Sequence, residues 1–355
     1  MSSLSSIQGG YYVKYMLNEI LIPLRCGIMK EVILYNTKDL RVVDSPKPTC
    51  GPSDILVKLR ACAICPTDLR KYTLGELGSP LLHLPMNMGH EWTGDVVEVG
   101  ESISYPKVGM RVRGSGWGGY AEYNLMSLQR LASWGRPIED MVVEVPKDVS
   151  YEEGTFLENI EICMHAVIDQ AQSGLGKSLV IIGGGQMGLT QVMIGKLIGA
   201  TVIVTELVDW RLEIAKKFGA DYVINTAKED AVDTIKKITN GKMADGAIIT
   251  VGVPPAILQG LNVLGRNGRA VLFGGATLDT TVTFNPNLIH YGDRALVGCS
   301  GGPPRGRLAM GLIASGKILV NRLITHKFKL EELPEAFRLI SENKLESYLK
   351  GVVVY

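Results

Sequence analysis

A run of glycines carries the most specific chemical signal in this chain. SLVIIGGGQMGLTQVMIGKLIGA places Gly183, Gly185 and Gly188 as G-x-G-x-x-G between a β-branched run and a helical pattern. In that setting Gly183 permits a tight turn, Gly185 lets the backbone approach a pyrophosphate, and Gly188 lets helix and strand pack closely. The helix N-terminus, with Gln186 and Met187, then faces the phosphates. The next run, TVIVTE, ends in Glu206, 18 residues after Gly188, where a carboxylate accepts hydrogen bonds from the adenosine ribose hydroxyls. Its charge repels a 2′-phosphate, which favours NAD over NADP, while nearby Arg211 softens the preference. The plainer alternatives are an ordinary glycine-rich βα turn and an acid capping a strand end.

Two earlier segments hold residue types that bind metals. ACAICPTDLRKY carries Cys62, Cys65, Thr67 and Asp68, and MNMGHEWTGDVVEVG carries His90 and Glu91. A cysteine or a histidine alone is more often a core residue. The C-x-x-C pair by itself suits structural zinc or redox chemistry. Side chains alternate along a strand, however, so residues three apart face opposite ways, and Cys62 is expected in the core.

These residues need elements to position them. From Met29 to about residue 150, short β-branched runs such as ILVKLRACAI, GDVVEVG and MVVEVP alternate with Gly and Pro turns, a β-rich pattern with weak helix signals. After Glu152, SLVIIG, TVIVTE, DYVIN, GAIIT, RAVLFG and ALVGC are separated by stretches of helical period such as DWRLEIAKKFG. Alternating strand and helix implies α/β architecture with a parallel sheet covered on both faces. A helical pattern precedes the terminal strand VVVY, which could return to the first domain. The division expected is an N-terminal extension over 1–28 with an internal start at Met29, a β-rich catalytic domain over 29–160 and 296–355, and a dinucleotide-binding domain over 161–295.

The 355 residues suit two packed domains. The 37 Lys and Arg nearly cancel 36 Asp and Glu, so no long-range field favours nucleic acid or an anionic membrane, and a small ligand is the better expectation. Six scattered cysteines argue against a disulfide framework and for a reducing cytoplasm. No apolar run approaches the roughly 18 to 20 residues of a membrane span.

CPTDL and GHEWTGDVVEVG together resemble the C-G-T/S-D-L and GHE-x-x-G-x-V-x-x-V-G segments of the zinc-dependent medium-chain dehydrogenases, particularly the branch of sorbitol, glucose and threonine dehydrogenases. The likeness runs from Met29 to the C-terminus. It implies a GroES-like catalytic domain beside a Rossmann domain, and hydride transfer between NAD and a secondary alcohol, polyol or sugar whose oxygen ionises beside the metal. The resemblance makes Cys65 and His90 zinc ligands. FLENIEICMHAV resembles E-P-L-x-x-x-x-H-A-V, which puts Glu158 at an acidic ligand position, with Glu91 as the other candidate. Asp68 then takes the imidazole N–H of His90, and Thr67 passes the alcohol proton outward.

Departures from the family's pattern are informative. Pro66 replaces the usual Gly, and Asn159 the usual Pro. Arg70 stands where many relatives have the histidine that ends the proton relay, and an Arg cannot shuttle protons; contact with a pyrophosphate or a solvated surface position are its alternatives. The four-cysteine lobe that binds a structural zinc is missing after VGMRVRG, so one zinc per subunit is expected, with LMSLQRLASWGRPIEDM as a longer connection in its place. Trp92, Trp117 and Leu157 are candidate apolar walls, although such residues are more often core. Arg305 in GGPPR either reaches a polar substrate or ends a surface turn. A zinc-free NADPH enone or quinone reductase of the same superfamily, or a non-catalytic NAD-binding protein, is the rival. Relatives are commonly tetramers or dimers, so a homo-oligomer is expected.

Overall fold

The computed structural model describes residues 27–75, 83–127 and 137–355. In chain order these form β1 (Ile28–Asn36), β2 (Asp39–Pro46), β3 (Asp54–Ala63), α1 (Pro66–Leu74), β4 (Met86–Asn87), β5 (Glu91–Val99), β6 (Arg111–Gly114), β7 (Tyr123–Ser127), β8 (Val142–Glu144) and α2 (Leu157–Met164). A π-helical turn over His165–Gln170 continues α2. There follow β9 (Ser178–Ile182), α3 (Gln186–Leu197), β10 (Thr201–Glu206), α4 (Asp209–Lys217), β11 (Tyr222–Asn225), α5 (Ala231–Ile238), β12 (Ala244–Ile249), α6 (Pro254–Asn262), β13 (Leu264–Leu272), β14 (Ala295–Gly298), α7 (Gly306–Ala314), β15 (Ile324–Phe328), α8 (Leu333–Ser341) and β16 (Lys350–Val354).

Two sheets make up the β-rich part. One has the order β2-β1-β4; the other has seven strands in the order β15-β16-β3-β5-β6-β8, with β7 also on β3. β3 is central because Ile55, Leu56, Val57, Leu59, Ala61, Cys62 and Ala63 are all buried, so both of its faces are covered. Its antiparallel register sets Ala63 opposite Glu91 on β5 and opposite Val352 on β16. The chain just past β3, the start of β5 and the start of the C-terminal strand therefore converge at one end of the sheet. VVVY does return to the first sheet system, as its apolar pattern implies.

The second half forms a six-stranded parallel sheet in the order β11-β10-β9-β12-β13-β14. Alternation along its strands feeds two cores: Ile181, Val202 and Val204 enter one, and Val180, Ile182 and Ile203 the other. α3 is buried nearly all round, from Leu189 through Ile194, which a helix wedged between a sheet and α2 requires. Strand order reverses between β9 and β12, which opens a crevice outside the carboxyl ends of the strands.

Several expectations need adjusting. A boundary between 295 and 296 would cut β14, whose Ala295–Gly298 pair with Arg269–Leu272 of β13; the chain rejoins the seven-stranded sheet only at β15. The weak helix signal before residue 150 concealed α1, which starts at Pro66, where proline's missing N–H costs nothing, and has Asp68 in its first turn. β1 begins at Ile28, one residue before Met29. Only Ser115–Glu122 separate β6 from β7, consistent with a missing lobe. The extension up to Cys26, and the part of the LMSLQRLASWGRPIEDM connection at 128–136, lie outside the described residues. No described helix is long and apolar enough to cross a membrane.

Gly188 tests how tightly α3 is seated. A β-carbon there would stand 2.0 Å from the Gly183 carbonyl oxygen, a backbone atom that cannot step aside. Gly188→Ala should lower stability by about 1–3 kcal/mol in urea unfolding, the usual cost of overpacking; an unchanged midpoint would show that helix and strand are less tightly coupled.

Candidate active site

Cys65 is the N-cap of α1, and its backbone N–H donates to Asp68 Oδ2 at 3.1 Å. The Tyr120 hydroxyl donates to the same oxygen at 2.8 Å, so the fully buried Asp68 is held from two sides. Its other oxygen lies 3.4 Å from Nδ1 of His90, a charge contact rather than an aligned hydrogen bond. Burial opposes the charged forms of both groups, but their mutual attraction outweighs it: Asp68 lies below the usual carboxylate range, and His90, which also faces Cys65, lies well above the usual imidazole range. Burial and the neighbouring Glu91 carboxylate push the Cys65 thiol up.

The Cys65 sulfur, a His90 ring nitrogen and a Glu91 carboxylate oxygen all lie within 4.8 Å of one another. Glu91 is buried, and its Oε2 accepts from Lys350 Nζ at 2.5 Å; the two side chains are 2% and 1% exposed. Lys350 is held above the ordinary lysine value because Glu91 and Cys65 outweigh its burial. One sulfur, one nitrogen and one oxygen donor suit zinc, and Asp68 fixes the imidazole from behind, so the residues present fit such an ion.

Glu158, the other acidic candidate, does not join this cluster. From the first turn of α2 its Oε2 accepts from Arg113 Nη2 at 2.5 Å, and its side chain is nearly half exposed. Arg113, itself buried, also donates to Ser115 Oγ at 3.1 Å and the His90 carbonyl at 3.4 Å. Partial desolvation opposes the charged form, but Arg113 and then His90 outweigh it and hold the Glu158 carboxyl below its usual range. Sequence reasoning missed Lys350 and Arg113. Lys350 carried a readable signal, a lone cation at the start of an otherwise apolar strand, since buried charges are almost always paired, whereas Arg113 shares its short strand with Arg111 and did not stand out.

Thr67 is exposed in the first turn of α1. Trp92 and Leu157 are core residues, whereas Trp117 is 39% exposed and meets the His90 ring edge-on at 4.5 Å, with Lys71 Nζ 4.6 Å from its ring centre. Cys62 is fully buried, as expected, but Cys65 lies past the end of β3 as the N-cap of α1, so alternation along a strand is not the reason. Arg305 turns inward to Asp169 at 2.9 Å, an ion pair that leaves the GGPPR turn a structural role. Asn159 donates to the Gln186 side chain at 3.2 Å, tying α2 to the start of α3.

At the glycine-rich turn Gly183 has φ +107°, Gly185 has open space where a β-carbon would be, and Gly188 sits against Gly183. This is the geometry of a phosphate cradle. Gln186 is buried on Asn159 and Met187 packs on the core, so only their backbone amides are available to a phosphate. Glu206 is engaged locally: Oε2 accepts from Gly184 N–H at 2.8 Å and Oε1 from Leu207 N–H at 2.7 Å, with Arg211 3.8 Å away.

Residues 51–135 match the alcohol dehydrogenase GroES-like domain, and residues 187–315 match the zinc-binding dehydrogenase domain. The chain is 31% identical over 340 residues to sorbitol dehydrogenase of Bacillus subtilis, covering 90% of this chain and 95% of that one. It belongs to the zinc-dependent medium-chain alcohol dehydrogenase family. L-threonine 3-dehydrogenase of Pyrococcus horikoshii is 33% identical over 352 residues, covering 89% and 97% of the two chains, which places the protein in the sorbitol and threonine dehydrogenase branch. A zinc-binding dehydrogenase of Sinorhizobium meliloti, solved bound to NADP, superposes with TM-score 0.81 at 25% identity over 93% of this chain and all of that one. The medium-chain dehydrogenase is accordingly an oxidoreductase with the expected GroES-like and Rossmann architecture.

The buried pair makes a direct prediction. Lys350→Met leaves Glu91 buried without its cation and should destabilise the chelator-treated protein by about 3–5 kcal/mol. The Glu91→Gln/Lys350→Met double variant should recover most of that loss in urea unfolding; additive losses would show that the two residues act independently.

Proposed function

We propose that the protein is a zinc-dependent, NAD-linked dehydrogenase of secondary alcohols of the polyol or sugar class. The observation that carries this reading is the Cys65, His90 and Glu91 donor cluster, whose atoms lie within 4.8 Å of one another. Three donors leave a fourth position for an exchangeable group, as in catalytic rather than structural zinc sites, and the missing lobe supports one ion per subunit. Bound together, zinc would lower the pKa of the substrate hydroxyl and the nicotinamide would take its hydride.

The chain's own residues do the rest. Asp68 orients the His90 ring, and Lys350 holds the Glu91 carboxylate in place. Thr67, exposed beside Cys65, takes the hydroxyl proton and passes it to water, because Arg70 cannot accept it. Gly185 admits the diphosphate to the N-terminus of α3. Glu206 exchanges its backbone partners for ribose hydroxyls and disfavours a 2′-phosphate, so NAD is preferred, with Arg211 tempering the margin.

Glu158, anchored by Arg113 and open on its other side, accepts a further substrate hydroxyl. That acceptor supports a polyol over a simple alcohol, and the likeness to sorbitol dehydrogenase supports the same class. The zinc-free reductase alternative has no use for the buried donor set. Free cysteines at every described position and the family's common dimers and tetramers support a cytoplasmic homo-oligomer.

Cys65→Ser and His90→Ala should reduce zinc, measured by elemental analysis, from one per chain to near none and abolish turnover of polyols with NAD, while dinucleotide binding persists. Asp68→Ala should weaken zinc roughly 10–100-fold. Full metal content in the Cys65 and His90 variants, or zinc-loaded protein inactive on a panel of polyols and secondary alcohols, would defeat the proposal. Glu206→Ala should weaken NAD binding about tenfold, the worth of one charged hydrogen bond, and narrow its margin over NADP; an unchanged ratio of the two dissociation constants would remove the role given to Glu206.

A further inference from the structure

Arg70 crosses from one half of the molecule to the other. It lies on α1 one turn beyond Thr67, and its Nη2 donates to the carbonyl of Gly275 at 2.5 Å. Gly275 belongs to the loop that leaves the carboxyl end of β13, where Gly274 N–H is held by the Ile249 carbonyl. The Gly275 carbonyl oxygen also stands 2.2 Å from where a Gly252 β-carbon would be, so the loops after β12 and β13 are packed against each other. The acceptor of Arg70 is thus a fixed point on the rim of the crevice outside the strands' carboxyl ends, where dinucleotides bind in such sheets.

The guanidinium uses one of its five N–H donors on this neutral carbonyl and, among the described residues, has no other hydrogen-bond or ion-pair partner. An anionic oxygen is the stronger acceptor, by roughly twofold in bond strength, and guanidinium pairs with phosphate through two parallel bonds. A diphosphate entering the crevice therefore competes with the Gly275 carbonyl for Arg70.

We infer that Arg70 is a cleft-spanning latch: it ties α1 to the loop after β13 when the crevice is empty, and its guanidinium transfers to the diphosphate of the entering dinucleotide. The inference rests on the reading that this crevice takes a nicotinamide dinucleotide. It makes Arg70 a positioning residue, placing the segment that bears Cys65 and Thr67 according to whether cofactor is present.

Gly275 supplies a test that leaves the charge in place. The three atoms nearest to a β-carbon there all belong to the flexible guanidinium, with Nη1 at 2.6 Å and Nη2 at 2.9 Å, so Gly275→Ala displaces Arg70 from its carbonyl without removing it. Hydrogen exchange on the cofactor-free full-length protein should show amides 273–277 exchanging several-fold faster in both Arg70→Ala and Gly275→Ala than in wild type. Fluorescence titration with NAD should give a dissociation constant about tenfold or more higher for Arg70→Ala, and the difference should narrow as salt is raised. Gly275→Ala should bind NAD at least as tightly as wild type.

Equal NAD affinity in wild type and Arg70→Ala, or equal weakening in the two variants, would overturn the transfer. Exchange at 273–277 indifferent to Arg70 would overturn the latch. Wild-type protein that binds no dinucleotide would overturn the functional reading and the transfer with it, while the exchange measurement would still decide the latch.

Discussion

A carboxylate buried beside a thiol must find a cation, and the arrangement of the donor cluster follows from how Glu91 finds Lys350. Both side chains are essentially inaccessible, so each would carry a large desolvation cost without the other. The pair forms only because β16 comes back along β3, while β5 pairs with the opposite edge of β3. Glu91 and Lys350 are 259 residues apart in sequence, yet each lies at the start of its strand. The same register puts Cys65 two residues beyond the end of β3 and His90 immediately before β5. The C-terminal strand is therefore part of the site, and its single lysine is as constrained as the cysteine and histidine it stands near.

Residues whose role depends on local geometry were readable from sequence. Gly183, Gly185 and Gly188 behave as their spacing implies because a βα turn is a local structure, and the conformation required of each glycine is set by its immediate neighbours. Cys65, His90 and Glu91 were readable through the family's segments. The alternation of strands and helices likewise gave the parallel sheet. What sequence left open was pairing over long range. Glu91 and Glu158 differ in which cation each meets, and Lys350 and Arg113 reach them through sheet register and an inter-element packing that no spacing rule encodes. Helix α1 was hidden for a different reason: nine residues between β-rich segments give too short a period to stand out, although Pro66 and Asp68 mark its start.

Glu206 and Gln186 show that a residue at a proposed binding position also has structural contacts of its own. Glu206 accepts backbone N–H groups from the glycine-rich turn and from its own strand end, which holds the cradle in shape before any ligand arrives. Gln186 joins Asn159, so the amino end of α3 is tied to α2, the helix that also carries Glu158. The dinucleotide turn and the acidic rim of the donor cluster are thereby connected by a short path of buried contacts. Preorganisation of this kind lowers the ordering cost on binding.

Thr67 and Arg70 are one turn apart on α1, and the exchange of a titratable histidine for arginine at the second position changes what the helix can do. Arginine stays protonated, so the residue one turn beyond Thr67 cannot accept a proton in turn. Thr67 is itself exposed, so in the proposed mechanism solvent is its direct proton acceptor. The position freed from proton transfer instead spans the cleft to Gly275, where a permanent charge has an advantage that a histidine lacks: its contact does not vary with pH. On this reading one substitution moves the residue from carrying protons to coupling the two halves of the molecule.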